Sequence, residues 1–261
     1  MNNALKIFRK EIKEILKNRS IWAPTLIVSL IFSVFLPLAL MLFVDFANDP
    51  EIADFATKIF GTQADISVAM INFMVKQFTV FLLLIPAMVP SLIAPASVIL
   101  EKDSRTLEPL LATPIKTSEL LLGKTLTSMI PSFAISAINF VVLSININIL
   151  AYIKAGIVPL PNLEWTVAVL ILSPTISFII TIVSIIFSSR ATDIRSAQGI
   201  GSTIIFPIYL IIGLQIAGLF LINYLYLLLG CLVLLLACPL LLRLAIKVFD
   251  REHILTRWKY K

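Results

Sequence analysis

A chain of 261 residues that is 59% hydrophobic, 14% charged and +6 in net charge is far more apolar than the ~45–50% usual for a soluble domain. Its mean hydropathy of +1.00 leaves no soluble domain to be found and makes nucleic acid an unnecessary explanation of the positive charge. Membrane topology and anionic lipid account for that charge directly.

A helix that crosses a bilayer needs about 20 mostly apolar residues. Six stretches qualify: Ile21–Val44, Phe78–Leu100, Leu126–Ile153, Thr166–Ser189, Gly201–Leu221 and Leu225–Ile246. The expected fold class is all-α, a single polytopic transmembrane domain over residues 1–261. Ahead of the first span, residues 1–20 place Leu5, Phe8, Ile12, Ile15 and Leu16 at helical spacing, with Lys6, Arg9, Lys10, Lys13 and Lys17 filling much of the rest. That pattern predicts an interfacial amphipathic helix on the inner membrane face; a solvated basic arm is the plainer alternative. A cleaved signal is not expected, because the next apolar run exceeds ~7–15 residues and no small-residue cleavage site follows.

Beyond span one, which Trp22 anchors at its inner side, residues 45–77 read as an acidic outer loop with Asp45, Asp49, Glu51, Asp54 and Asp65. Ile52, Phe55, Ile59 and Phe60 predict a short surface helix starting near Asp49 or Pro50 and ended by Gly61. Span two carries Pro86, Pro90 and Pro95, which remove backbone donors and permit either static bending or flexing. The polar run 101–125 follows, mixed in charge and leucine-rich, long enough to form a short helix that docks on a cytosolic partner. Spans three and five hold Asn139, Asn146, Asn148 and Gln215, expected mainly as interhelical hydrogen-bonding groups. No acid or base falls near a predicted midplane, where one costs ~2.5–3.5 kcal/mol, so a proton relay of buried carboxylates is not expected. Trp165, Tyr224 and Tyr226 sit at expected outer interfaces.

In span six, Cys231 and Cys238 lie ~10 Å apart along a helix, too far for a disulfide, and read as packing residues. The lone histidine, His253, lies in the tail 247–261, so a His-based metal site or a Ser–His nucleophile is improbable. Gly123-Lys124-Thr125 mimics the end of a P-loop. Ser118 stands where its first glycine belongs and no strand precedes it, so no phosphate cradle is expected.

Basic residues set the orientation. The N-terminal arm, the 101–125 run, the Arg190–Arg195 turn and the chain from Arg243 onward hold eighteen, against three (Lys58, Lys76, Lys154) in the opposite loops. Both termini are therefore expected inside. Single cysteines at Asp54 and Asn162 are expected to react with an impermeant thiol reagent from outside, and one at Ser196 is not; reversed labelling would overturn the topology.

Glu101-Lys102-Asp103, Thr106-Leu107-Glu108, Leu110-Leu111-Ala112-Thr113-Pro114, Glu119 and Gly123-Lys124 resemble the signature loop of type-2 ATP-binding-cassette (ABC-2) transporter permeases. Ser188-Ser189-Arg190 with Arg195-Ser196-Ala197-Gln198 resembles that family's inner loop between spans four and five. The short length, the acidic outer loop and these loops are most similar to the sodium-exporter (Nat-type) branch. The resemblance implies a plasma-membrane permease that forms a homodimer or a heterodimer with a second permease. It further implies pairing with separate ABC ATPase subunits that hold ATP and magnesium, with no cofactor and no enzyme activity expected on this chain.

The resemblance also makes residues 101–125 a cytoplasmic coupling loop seated in an ATPase groove. Thr106 suits a helix start with Leu107 and Glu108 in its first turn. Leu107, Leu110 and Leu111 share one face at i, i+3, i+4 and suit an apolar groove. Arg105 and Glu108 form the rim, Thr113-Pro114 the end, and Thr117 or Ser118 caps span three before Glu119 and Lys124. Arg190, Arg195 and Gln198 mark the second inner loop. By family analogy, spans two and five line the path, with Phe78, Thr79, Phe81, Asn139, Asn146, Thr203, Tyr209 and Gln215 as its lining. Sodium is one substrate reading, and a lipid or hydrophobic drug another. A non-transporting membrane sensor that binds an ATPase is a third. An intramembrane enzyme lacks the paired carboxylates, metal cluster or nucleophile it would need.

Overall fold

A computed structural model describes residues 2–17, 19–35, 37–39, 66–103, 115–188, 196, 199, 201, 203–216 and 224–248. Every regular element among the described residues is helical. In chain order these are α1 (Asn2–Lys17), α2 (Arg19–Leu30), α3 (Ile66–Phe81), α4 (Leu84–Asp103), α5 (Thr117–Ala155), α6 (Leu163–Val167), α7 (Ser173–Ser188), α8 (Phe206–Ile216) and α9 (Tyr224–Val248). Four helical stretches are long and apolar enough to cross a bilayer: Trp22–Ala39, Thr117–Ala155, Leu163–Ser188 and Tyr224–Lys247. The expected spans two and five correspond to shorter apolar helices, Leu84–Ile99 and Phe206–Gln215.

Prolines set where these helices bend. π-Turns at Ile31–Phe35 and Ala168–Leu172 each end two residues before a proline, Pro37 and Pro174. A missing N–H and a ring that crowds the i−4 carbonyl widen the preceding turn. Pro86 follows a two-residue break at Leu82–Leu83 that separates α3 from α4.

Two of the carbonyls that prolines release accept hydrogen bonds from neighbouring helices, and a third is closely packed. Pro37 frees the Ser33 carbonyl, which accepts from Asn146 Nδ2 at 2.8 Å. Pro90 frees the Pro86 carbonyl, and the hydroxyls of Ser132 and Ser177 lie 3.3 and 2.9 Å from it and 2.8 Å from each other. Pro95 frees the Ser91 carbonyl, on which Gly201 packs so closely that a Cβ would stand 2.5 Å from the oxygen. Gly201→Ala is therefore expected to cost about 1–3 kcal/mol through forced backbone displacement, read as a lower unfolding midpoint; an unchanged midpoint would refute the close contact.

The core lies where α4, α5 and α7 meet. At one end Ala94, Val98, Leu120, Leu121, Ile182 and Ile185 close around Ile7 and Ala245. At the other, Ile71, Val75 and Phe78 pack on Leu143, Ile147 and Trp165. Here the structure redraws two expectations. Residues 66–77, expected in the outer loop, are helical, because Ile71 and Val75 stand one turn apart and bury on α5. Trp165 is fully buried and donates from Nε1 to the Val75 carbonyl at 3.3 Å, so it packs inside the bundle instead of anchoring at a lipid interface. The predicted helix between Asp49 and Gly61 lies outside the described residues. Cys231 and Cys238 are both free thiols.

α5 runs for 39 residues, about 58 Å at 1.5 Å per residue and roughly twice a bilayer's ~30 Å hydrocarbon core. Its extra length carries Glu119 and Lys124, which ride on helix and not on a connector. The run Leu120-Leu121-Leu122 favours that extension. Lys116 takes the N-cap position with no side-chain cap, in place of the expected Thr117 or Ser118.

Candidate functional site

The last turn of α4 and the first turns of α5 form the two roots of residues 104–114. Glu101 lies on the first root, Glu119 and Lys124 on the second, and all three were expected in the coupling loop. The structure brings them together through a helix that sequence reasoning did not connect to them. α1 lays Ala4, Ile7, Glu11 and Ile15 along its buried face, a spacing that keeps one stripe of a 3.6-residue helix. Gly123 makes this approach possible. A Cβ there would stand 3.0 Å from both the Ala4 carbonyl and the Ile7 Cβ.

Lys124 is the centre of the cluster, its side chain wholly buried. Its Nζ lies 2.8 Å from Glu11 Oε1 and 2.8 Å from Glu101 Oε2, with Ser97 Oγ at 3.4 Å. An isolated buried ammonium is prohibitively costly, so the pairing is what permits it. Two carboxylates against one cation leave an excess acid. Burial accordingly raises the Glu101 carboxyl pKa above its ordinary value; Lys124 opposes that rise, Glu11 reinforces it and Lys10 opposes it weakly. At the tip of α1, Asn3 Nδ2 donates to Glu119 Oε2 at 3.1 Å. At its far end, Trp22 Nε1 donates to the Ile15 carbonyl at 2.9 Å and turns α1 into α2.

The apolar face of α1 differs from the expected one. Only Ile15 of the five residues expected on that face is buried; Leu5 and Leu16 are 45% and 60% exposed, beside the half-buried Phe8 and Ile12. The helix has separate faces, because it packs on protein along Ala4–Ile15 while its flank and its bases Arg9, Lys13 and Lys17 remain outside. Glu11 was legible in one respect: it is an acid placed four residues from both Ile7 and Ile15, on the stripe that buries.

The remaining predicted residues divide. Arg105, Thr106, Leu107, Glu108, Leu110, Leu111, Thr113 and Pro114 lie outside the described residues, as do Arg190, Arg195 and Gln198 and the Thr79 side chain. Phe78 is buried, with its ring 5.8 Å from Phe81. Asn139 Nδ2 donates to Ser29 Oγ at 2.6 Å, so Asn139 and Asn146 both tie α5 to span one. Gln215, 2% exposed, donates to the Lys76 carbonyl at 3.1 Å. Thr203 and Tyr209 stand exposed on span five.

Chemically, the Lys124 cluster is a buried group of ion pairs that joins α1, α4 and α5. Its ammonium sits inside a helix and is committed to two carboxylates, so the Gly123-Lys124-Thr125 triplet is no phosphate cradle. Among the described residues, no group of three His, Cys, Asp or Glu side chains is placed to hold a metal. No curated protein and no solved structure gives a significant match to the chain. The family model described as "ABC-2 family transporter protein" matches residues 5–229, a stretch that takes in most of α1, both roots of the loop and every apolar helix up to the first turns of α9. The chain belongs to the ABC-2 transporter family.

Proposed function

We propose that this chain is the membrane-spanning subunit of an ATP-driven exporter, working as a dimer with separate ATPase subunits that bind ATP and magnesium. Residues 101–125 are its coupling element, and both termini face the cytoplasm. The observation that carries this reading is the buried Glu11–Lys124–Glu101 cluster. It fixes both roots of the 104–114 segment to each other and to α1, so a push on that segment moves spans two and three together. A loop that only joined two helices would not need a buried ion cluster at its base.

Power strokes on such a joint reach the spans through α4 and α5. Sodium is the substrate favoured by the acidic outer loop. A lipid or hydrophobic drug is the alternative, favoured by the absence of any acid or base near the predicted midplanes. Flux of sodium, a labelled lipid and a hydrophobic dye into inverted vesicles, with the cognate ATPase and ATP, tests both. Sodium uptake that survives Asn139→Leu, Asn146→Leu and Gln215→Leu together would remove these residues from an ion path. Absence of ATP-driven flux of every class, in a complex that still hydrolyses ATP, would favour the sensor reading.

A further inference from the structure

Spans four, five and six enclose a cavity of about 470 Å³, lined among others by Ile176 and Ile180 of α7, Ile208 and Ile211 of α8, and Leu227 and Gly230 of α9. Its walls are almost entirely hydrocarbon. Ile211 and Tyr226 both line it and are 39% and 54% exposed, which makes it continuous with the apolar outer surface of α8 and α9. Leu210, Leu225, Leu229, Leu232 and Val233 extend that surface.

We propose that this cavity holds one acyl chain of a bilayer lipid. Hydrocarbon is the solvent at this depth, and a slot open to it fills with chains as a polar cleft fills with water. An ion or a polar solute would find no charged side chain among the lining residues. From Tyr226 to Leu234 the cavity follows α9 for about 12 Å, most of one leaflet's ~15 Å of hydrocarbon. Tyr226 lies nearest the start of α9, where an amphipathic ring suits the chain's approach to its headgroup.

Gly230 keeps the slot open. It sits inside a helix, where glycine is a poor former, and neither a positive φ nor a close neighbour requires it. A Cβ built there meets nothing within 4 Å. A larger side chain at this position is therefore accommodated by the cavity itself.

The test uses the purified full chain in phosphatidylcholine nanodiscs doped with a phosphatidylcholine that carries a diazirine midway along one acyl chain. After irradiation, labelled positions are mapped by peptide mass spectrometry, without the ATPase, so the result is independent of the transport reading. Label is expected to concentrate on the lining residues Ile176, Ile180, Ile208, Ile211, Leu227 and Leu234. Gly230→Phe fills the slot and should remove most of this label, while Gly230→Ala stays near wild type. Ile208→Trp fills the slot from the opposite wall and serves should Gly230→Phe fail to fold. Wild-type label spread evenly over Leu225, Leu232 and Val233, or label undiminished in a folded filling variant, would overturn the proposal. Disulfide-linked dimers formed in membranes by Gly230→Cys would also overturn it, by placing a second copy of the chain there.

Discussion

Replacing Lys124 with methionine is expected to destabilise the protein by about 3–5 kcal/mol, because it strands two buried acids without their cation. Glu11 and Glu101 both stand 2.8 Å from the ammonium, with side chains only 5% and 12% exposed. The triple variant Lys124→Met, Glu11→Gln, Glu101→Gln is expected to recover most of the loss, since removing a whole buried ionic cluster is often close to neutral. Glu101→Gln alone behaves differently. Its carboxyl pKa is raised, chiefly by burial, so the native state binds that proton more tightly than the unfolded chain. This contribution to stability is full below the ordinary carboxyl value and is lost as pH rises through the raised one. Wild type should therefore match Glu101→Gln in acid and fall behind it as pH rises through that window. Unfolding midpoints in one detergent across pH measure all of these variants. Lys124→Met melting with wild type would show that the cluster holds nothing together.

Much of this fold could be read from residues. Apolar runs of bilayer length located four of the six expected spans, while the expected spans two and five are shorter apolar helices among the described residues. The triplet Gly123-Lys124-Thr125 was rightly separated from a P-loop, because Leu120–Leu122 continue a helix through it. What the sequence did not disclose was contact between distant segments. Glu11 and Lys124 are 113 positions apart, and neither carries a mark of the other beyond lying on an otherwise apolar stripe. Trp165 shows the converse error: an aromatic at a helix entry looks the same in sequence whether it faces lipid or the Val75 carbonyl. The prolines of span two announced released carbonyls, but only packing could show Ser132, Ser177 and Gly201 waiting for them.

The second large effect concerns Leu107 and Leu111, which lie outside the described residues and whose role rests on the family loop. If Thr106–Ala112 seats in an ATPase groove, burial of each leucine is worth ~1.5–3 kcal/mol as an upper range. Leu107→Asp with Leu111→Asp removes that gain and adds two carboxylates that the groove must desolvate. Dissociation of the ATPase is the expected result. Arg105→Ala removes an exposed rim contact worth about 0–1 kcal/mol and should weaken the complex without abolishing it. Should the segment pack only on its own bundle, the double variant would lose unfolding stability and retain the ATPase.

The most direct test of coupling is ATP-driven transport measured alongside ATPase co-purification in vesicles that carry the Leu107→Asp, Leu111→Asp variant, once its insertion and unfolding midpoint match wild type. Loss of both the associated ATPase and the flux is the predicted result. Undiminished association and transport would contradict the account, by showing that force enters the membrane subunit somewhere other than the 101–125 loop.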